Sequence, residues 1–120
     1  MDELIVRIED VDAFFSRARA EMKRLDEGIF EPAPASVSFA GMPQLLEVLS
    51  GNRWSLLSKL RATGPSSIRA LSKALGRDYR GVHSDVMRLL EVGLIEKDDA
   101  SKVLVPWSKI TAEVHLDKAA

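Results

Sequence analysis

Between Asp78 and Arg88 the sequence gathers side chains that form strong hydrogen bonds. The helix predicted there buries four apolar residues at helical spacing, namely Val82, Val86, Leu89 and Leu90. Other residues are left on or beside its exposed side: Tyr79, Arg80, His83, Ser84, Met87 and Arg88. The first turn of such a helix also offers backbone N–H groups that favour phosphate, so these residues suit contact with the major groove of DNA.

Each of these residues has an ordinary alternative role. Arg80 is the first candidate for a base contact, because a guanidinium can bond bidentately to guanine O6 and N7, worth about 1–3 kcal/mol of discrimination; a phosphate contact or a solvated arginine is the alternative. Tyr79 fits a phosphate or sugar contact, or a cover over the turn. Gly81 would allow close approach to the DNA backbone, or would relieve crowding against the preceding helix. His83 fits a base or phosphate contact, or a surface histidine.

Positive charge is concentrated in the same part of the chain. Residues 53–90 hold eight basic and two acidic residues, a net charge of +6, whereas residues 1–52 carry −5 and residues 91–120 carry −2. This distribution is typical of a face that meets a polyanion, although a solvated basic surface has the same pattern. The remaining candidate DNA-binding residues are Arg53, Ser67, Arg69, Lys73, Arg77, Lys97 and Lys102.

Three helices and a hairpin are predicted to position this set. The first helix has its apolar side at Trp54, Leu56, Leu57 and Leu60, and it ends before Gly64-Pro65. The second helix turns Ile68, Leu71 and Leu75 inward and ends at Gly76. Only two residues, Arg77 and Asp78, separate Gly76 from the third helix. Asp78 is a good N-cap for this helix, and Gly93 ends it. A hairpin follows, with Leu94–Glu96 and Val103–Val105 as its strands.

The sequence outside this trio predicts further elements. Leu4–Ile8 alternates as a strand does, Val37–Phe39 fits a brief strand, Pro43 fits the first turn of a helix, and 110–116 alternates again. Asp10 caps an amphipathic helix that stops at Gly28. Its apolar residues are the candidate dimer or partner surface: Val11, Phe14, Phe15, Ala18, Met22 and Leu25. Packing on the rest of the protein is the alternative.

The order of elements predicts a winged helix-turn-helix domain. Gly64–Val86, with the sequence GPSSIRALSKALGRDYRGVHSDV, and the following Leu89–Glu96, LLEVGLIE, resemble the winged-helix transcriptional regulators of the broad MarR-like group. More narrowly, the chain is similar to small prokaryotic DNA-binding proteins, some of which resemble the antitoxins of type II toxin-antitoxin pairs. The resemblance covers about residues 38–116 and implies a DNA-binding regulator.

We therefore expect a mainly α protein with a small β-hairpin, of class α+β. Residues 1–35 would form an N-terminal strand, the amphipathic helix and a Pro-Ala linker over 31–36, and residues 36–120 the winged helix-turn-helix domain. The expected function is that of a sequence-specific, autoregulatory double-stranded DNA-binding regulator, a repressor in the antitoxin case, acting as a homodimer on two half-sites. The alternatives are an antitoxin whose acidic N-terminal segment neutralises a cognate toxin, and a winged helix that binds only protein.

Several classes of protein are not expected. The chain lacks cysteine, a phosphate-binding glycine-rich loop, a Ser/His/Asp set and a metal-ligand cluster, since His83 has only the distant His115 as a companion. No enzyme activity, cofactor or metal is therefore expected. No apolar run reaches the roughly 20 residues of a membrane helix, and the acidic start is unlike a signal peptide. We expect a cytoplasmic prokaryotic protein, associated with the nucleoid when bound to DNA, with no membrane partner.

Overall fold

A computed structural model describes residues 2–30, 34–114 and 116. In this part of the chain the elements are β1 (Glu3–Ile8), α1 (Val11–Asp26), β2 (Ala35–Phe39), α2 (Met42–Val48), α3 (Gly51–Thr63), α4 (Ile68–Leu75), α5 (Tyr79–Val92), β3 (Glu96–Lys97), β4 (Val103–Leu104) and β5 (Lys109–Glu113). The expected α+β class is confirmed.

The first compact unit is built on a three-stranded parallel sheet with β1 in the centre, between β2 and β5. The register pairs Val6 with Val37 on one side and with Ala112 on the other. Because side chains alternate along a strand, Leu4 and Val6 share one face of the sheet, where both are fully buried.

The opposite face of this sheet is mixed, with polar side chains around the half-buried Ile5. The Glu3 carboxylate accepts a hydrogen bond from the Thr111 hydroxyl and lies 3.9 Å from the Lys109 ammonium group. Parallel sheets are usually buried on both faces, so a face of this kind is uncommon.

Helix α1 begins where the sequence predicts. The Asp10 carboxylate accepts a hydrogen bond from the Ala13 backbone N–H at 2.7 Å, which satisfies one of the four backbone donors that a helix start leaves unpaired. The helix ends at Asp26, and Gly28 follows with a φ of 83°. The predicted N-cap and the predicted stop are both confirmed.

The second compact unit contains α3, α4, α5 and the β3–β4 hairpin. The Ser50, Ser67 and Asp78 side chains cap the three helices, and each accepts a hydrogen bond from a backbone N–H three residues later. The core of this unit is aliphatic and comprises Val48, Leu56, Leu57, Leu60, Leu71, Val82, Val86, Leu89, Leu94, Ile95, Val103 and Val105. The prediction that Trp54 faces this core is wrong, because its side chain is 48% exposed.

The hairpin is joined to the segment between α3 and α4. Strands β3 and β4 pair antiparallel, with Glu96 opposite Leu104 and Lys97 opposite Val103. Ser66 and Val103 then exchange two backbone hydrogen bonds, of 3.0 and 2.9 Å. The hairpin therefore gains a third short extended segment as a neighbour.

The division of the chain differs from the expected boundary at residues 35 and 36. One unit comprises the described residues of 3–45 together with those that follow 108, and the other comprises Asp2 and 46–108. The physical reason is strand pairing, since β2 and β5 were both expected in the DNA-binding domain and both hydrogen-bond to β1. Of the predicted linker, residues 31–33 lie outside the described part, and Ala35 and Ser36 belong to β2.

Candidate nucleic-acid interface

A tight connection fixes α5 against α4. Gly76 adopts the left-handed conformation at the end of α4, where its backbone N–H donates to the Lys73 carbonyl at 3.1 Å and the next N–H, of Arg77, donates to the Ser72 carbonyl at 3.0 Å. Two residues later the Asp78 carboxylate caps α5 by accepting from the Gly81 backbone N–H at 3.0 Å. The short connection and the two caps together determine where α5 begins.

Helix α5 has one buried and one exposed side, as its spacing predicts. Val82, Val86 and Leu89 are fully buried. The exposed side carries Tyr79, Arg80, His83, Ser84 and Met87. In the part of the chain that the structure describes, the Arg80 guanidinium forms no ion pair, so its donors remain available to a ligand.

Arg69, Tyr79 and His83 stack on one another across α4 and α5. The Arg69 guanidinium lies 5.1 Å from the centre of the Tyr79 ring, within the range of a cation–π interaction. The Tyr79 and His83 rings are 5.8 Å apart in a tilted arrangement. This stack holds a phenol, an imidazole and a guanidinium next to Arg80, at the start of α5.

Asp85 ties two of the predicted DNA-binding arginines into the fold. One carboxylate oxygen accepts from Arg53 Nε at 3.1 Å and the other from Arg77 Nη2 at 2.8 Å. Arg53 Nη1 also donates to the Glu47 and Val48 carbonyls, at 3.0 and 3.2 Å, and so covers the end of α2. The Arg53 and Arg77 side chains are thus engaged in contacts within the protein, and the candidate interface consists of other residues.

The remaining predicted residues are dispersed over this unit. The Ser67 hydroxyl caps α4, and Lys73 is exposed on that helix. Arg88 is half-buried and pairs with Glu91 at 2.7 Å. Lys97 and Lys102 are exposed on either side of the hairpin tip.

Gly81 is not required by crowding between helices. A Cβ added at this position would meet Arg77 Nη2 and Asp78 Oδ2 at 3.5 Å, which is ordinary van der Waals contact. The packing therefore does not support relief of crowding as the reason for this glycine. Close approach of the DNA backbone is the explanation that remains.

The sequence prediction missed the structural role of Asp85. The available signal is that Asp78 and Asp85 are the two acidic residues within the basic stretch 53–90. An isolated carboxylate at a half-buried helical position is favourable mainly when arginines surround it.

The predicted partner surface lies on α1, in the other compact unit. Its side chains Val11, Phe14, Phe15, Met22 and Leu25 are exposed, and Ala18 is half-buried. No residue of α1 is buried.

The described residues form neither a metal site nor a membrane-spanning helix. No three His, Cys, Asp or Glu side chains in this part of the chain come together as a metal site requires, and His115 lies outside it. No helix within the described ranges is both long and apolar enough to cross a membrane.

A protein-family model matches part of the chain. The model of the HVO_A0114 family matches residues 48–112, more than half of the chain, and the chain therefore belongs to this family. The matched region contains α3, α4, α5 and the hairpin, and it leaves out β1 and α1. No curated protein and no solved structure was found to match the chain.

Proposed function

We propose that this member of the HVO_A0114 family is a sequence-specific, double-stranded DNA-binding transcriptional regulator that acts in the cytoplasm. In this proposal α5 enters the major groove and contacts base edges through the exposed residues of its first two turns. The observation that carries the proposal is Arg80, which is exposed in the first turn of α5, beside the Arg69–Tyr79–His83 stack. It forms no ion pair with any residue that the structure describes.

The local geometry supports a helix-turn-helix. Helices α4 and α5 pack together and are joined by Gly76–Asp78 alone. A connection of this length is typical of helix-turn-helix motifs, in which the second helix occupies the groove. Arg80, Tyr79 and His83 lie at the N-terminal end of that helix, from which base contacts are made in such motifs.

The hairpin supports a winged form of this motif. It follows the third helix of the unit directly and pairs through Val103 with Ser66, which precedes α4. The exposed Lys97 and Lys102 fit phosphate contacts beside the groove. The hairpin tip itself is internally bonded, because the Asp98 carboxylate accepts from the Ala100 and Lys102 backbone N–H groups, each at 2.9 Å.

Internal ion pairs reduce the number of basic side chains in this stretch that are free to contact a ligand. Arg53 and Arg77 share Asp85, and Arg88 is paired with Glu91. The arginines on α4 and α5 that form no ion pair among the described residues are Arg69 and Arg80. We therefore expect a moderate salt dependence of DNA binding, set by few phosphate contacts.

The test is a salt-dependent titration of the protein against its own promoter fragment and an unrelated duplex of equal length. A regulator that controls its own gene binds the promoter at least about a thousandfold more tightly, and both affinities fall as salt rises. Weak and equal binding to both duplexes would exclude control of its own promoter, and would leave a regulator with another operator or a winged helix that binds only protein.

Variants of Arg80 decide its role. Arg80→Ala should weaken promoter binding by about 5- to 150-fold, the equivalent of one bidentate base contact. Arg80→Lys keeps the charge and loses the planar fork, so it should restore binding only if the contact is to phosphate. Lys59→Ala removes one exposed charge from α3 and serves as the control. If Arg80→Ala and Lys59→Ala bind the promoter equally well, α5 does not make the contact proposed here.

A further inference from the structure

Helix α1 carries a continuous apolar stripe. At 100° per residue, Val11, Phe14, Phe15, Ala18, Met22 and Leu25 fall within an arc of about 100°. The five large side chains of this stripe are between 43% and 67% exposed. A stripe of this width normally packs against another element of the protein, so its exposure requires an explanation.

Polar contacts, rather than the stripe, attach α1 to its sheet. Arg17 Nη2 donates to Glu9 Oε1 at 2.6 Å, and the Ser38 hydroxyl, on β2, donates to the same oxygen at 2.7 Å. Arg17 is also the most covered charged residue of the helix and lies 5.5 Å from the centre of the Phe14 ring. The helix is therefore held by one flank, and the large side chains of the stripe stay about half exposed around Ala18, which is itself half-buried.

We propose that this stripe binds a second copy of the same chain, with the two α1 helices crossing antiparallel at Ala18. Two pairs of stripe residues are symmetric about this residue, whereas Phe15 has Glu21 as its counterpart. Val11 and Leu25 lie seven positions from Ala18 in opposite directions, and Phe14 and Met22 lie four positions from it. Reversing one helix therefore places Val11 against Leu25 of the second copy and Phe14 against Met22 of the second copy.

Ala18 suits the point at which the helices cross. Its side chain is the smallest in the stripe, so two helices can approach closely there while the larger side chains interdigitate on either side. This twofold arrangement is isologous, since the same surface serves both copies.

The charges of α1 favour the antiparallel orientation. The first turn carries Asp12, and the last turn carries Lys23 and Arg24. Antiparallel crossing brings Asp12 toward Lys23 of the second copy, whereas parallel pairing would place each of them beside its own copy. Arg19, one residue from the crossing point, lies near its own copy in either orientation. The helix dipoles also oppose each other in the antiparallel arrangement, which favours it further.

The area of the stripe reaches the lower limit for a specific dimer. Phe14 and Phe15 are its largest side chains, since an aromatic side chain can bury about 150–250 Å², and about half of each is exposed. Complete burial of the five large side chains in both copies would remove on the order of 1,000 Å² from solvent, the size that a specific interface must reach.

The oligomeric state of the full chain is the first measurement, made by light scattering without DNA. The expected mass is twice 13.3 kDa. Met22→Glu places a charge in the stripe and should give a monomer, whereas Ala20→Glu, on the opposite side of α1, should remain a dimer. A monomeric wild-type chain would overturn the proposal, as would a Met22→Glu variant that remains dimeric, and far-ultraviolet circular dichroism shows whether each variant is folded.

Disulfide cross-linking tests the orientation, since the chain contains no cysteine. Ala18→Cys should cross-link to itself in an antiparallel pair. Val11→Cys should not, because its two copies would lie about 20 Å apart along the helix axis, beyond the reach of a disulfide. The double variant Val11→Cys, Leu25→Cys should cross-link again. Efficient cross-linking of Val11→Cys alone would overturn the antiparallel arrangement.

The proposed dimer and the proposed DNA binding are tested by independent experiments, so one can be refuted without the other. The light-scattering and cross-linking experiments contain no DNA, and Arg80 lies outside α1. A dimer that does not bind the promoter would contradict only the proposed function, and a monomer that binds it would contradict only the dimer.

Discussion

Removing the Asp85 carboxylate should destabilise the helical unit more than removing any exposed acidic side chain of α5. Asp85→Ala leaves the Arg53 and Arg77 guanidinium groups facing each other without their shared acceptor, at sites that are only partly hydrated. Arg53 would lose one of the contacts that hold it over the end of α2. The variant therefore affects the start of α3, the turn before α5 and α5 itself.

The magnitude follows from the degree of burial. The Asp85 side chain is 14% exposed, and those of Arg53 and Arg77 are 19% and 27% exposed. Breaking a fully buried ion pair costs about 3–5 kcal/mol, and an exposed pair contributes about 0–1 kcal/mol. For two partly buried bridges to one carboxylate, we expect a loss of about 2–3 kcal/mol in the free energy of unfolding. In a chain of this size that corresponds to a fall in Tm of about 10 °C.

Thermal unfolding followed by circular dichroism measures this loss, with Glu91→Ala as the matched control. Glu91 lies on the same helix and pairs with Arg88 at 2.7 Å, but their side chains are 69% and 34% exposed. The control should therefore lose less than about 0.5 kcal/mol. A double-mutant cycle between Asp85→Ala and Arg77→Ala should show a coupling free energy of about 1–2 kcal/mol.

Equal Tm values for Asp85→Ala and Glu91→Ala would refute the reasoning. So would a cycle with no coupling, because the Asp85 and Arg77 side chains would then act independently. If the Asp85→Ala variant is too unstable to measure, Asp85→Asn keeps the shape of the side chain and should fall between wild type and alanine.

Three further changes test other parts of the structure. Arg17 lowers the pKa of Glu9 by hydrogen bonding to its carboxylate, so this pair stabilises the chain at pH values above the ordinary glutamate pKa. Glu9→Gln should therefore cost about 1 kcal/mol at neutral pH, and the difference from wild type in urea unfolding should shrink as the pH falls below about 4.5. Asp78→Ala removes the N-cap of α5 and should lower stability by about 1 kcal/mol in thermal unfolding, with Asp78→Ser close to wild type. Gly81→Ala should leave stability unchanged or raise it by up to about 1 kcal/mol, because the added methyl group has room. A large loss of stability would contradict the packing described above. Weaker promoter binding by a fully stable variant would indicate close contact between Gly81 and DNA.

The elements that the sequence predicted correctly are those determined by neighbouring residues. Asp10 and Asp78 cap the helices they were expected to cap, and Gly76 and Gly93 end α4 and α5 in the left-handed conformation. These interactions span three to five residues, so the local sequence contains all the information that they require.

Strand pairing and the inward side of α3 could not be predicted in this way. The alternation over 110–116 predicts a strand, observed at Lys109–Glu113, but does not identify β1 as its neighbour. Strand β1 lies about one hundred residues earlier in the chain. On α3, both Trp54 and Leu56 fit helical spacing with Leu57 and Leu60, and tertiary packing decides between them.

The same limit applied to the candidate site. The sequence does not distinguish Arg53, Arg77 and Arg80, and all three were predicted to contact DNA. What distinguishes them is Asp85, whose carboxylate reaches two of them across 32 and 8 residues and does not pair with the third. A count of basic residues along a sequence therefore overestimates how many of them are free to bind a ligand.

The position of β5 in the parallel sheet has a consequence for synthesis on the ribosome. Glu3 pairs with Lys109, so closing this contact brings together residues from the first and last tenths of the chain. A contact of this sequence separation carries a large loop-closure entropy and forms slowly. The helical unit, which needs only residues up to 108, can pack as soon as they emerge, whereas the sheet must wait for 109–113. During that interval β1 has one open edge, which is available to chaperones or to a second nascent chain.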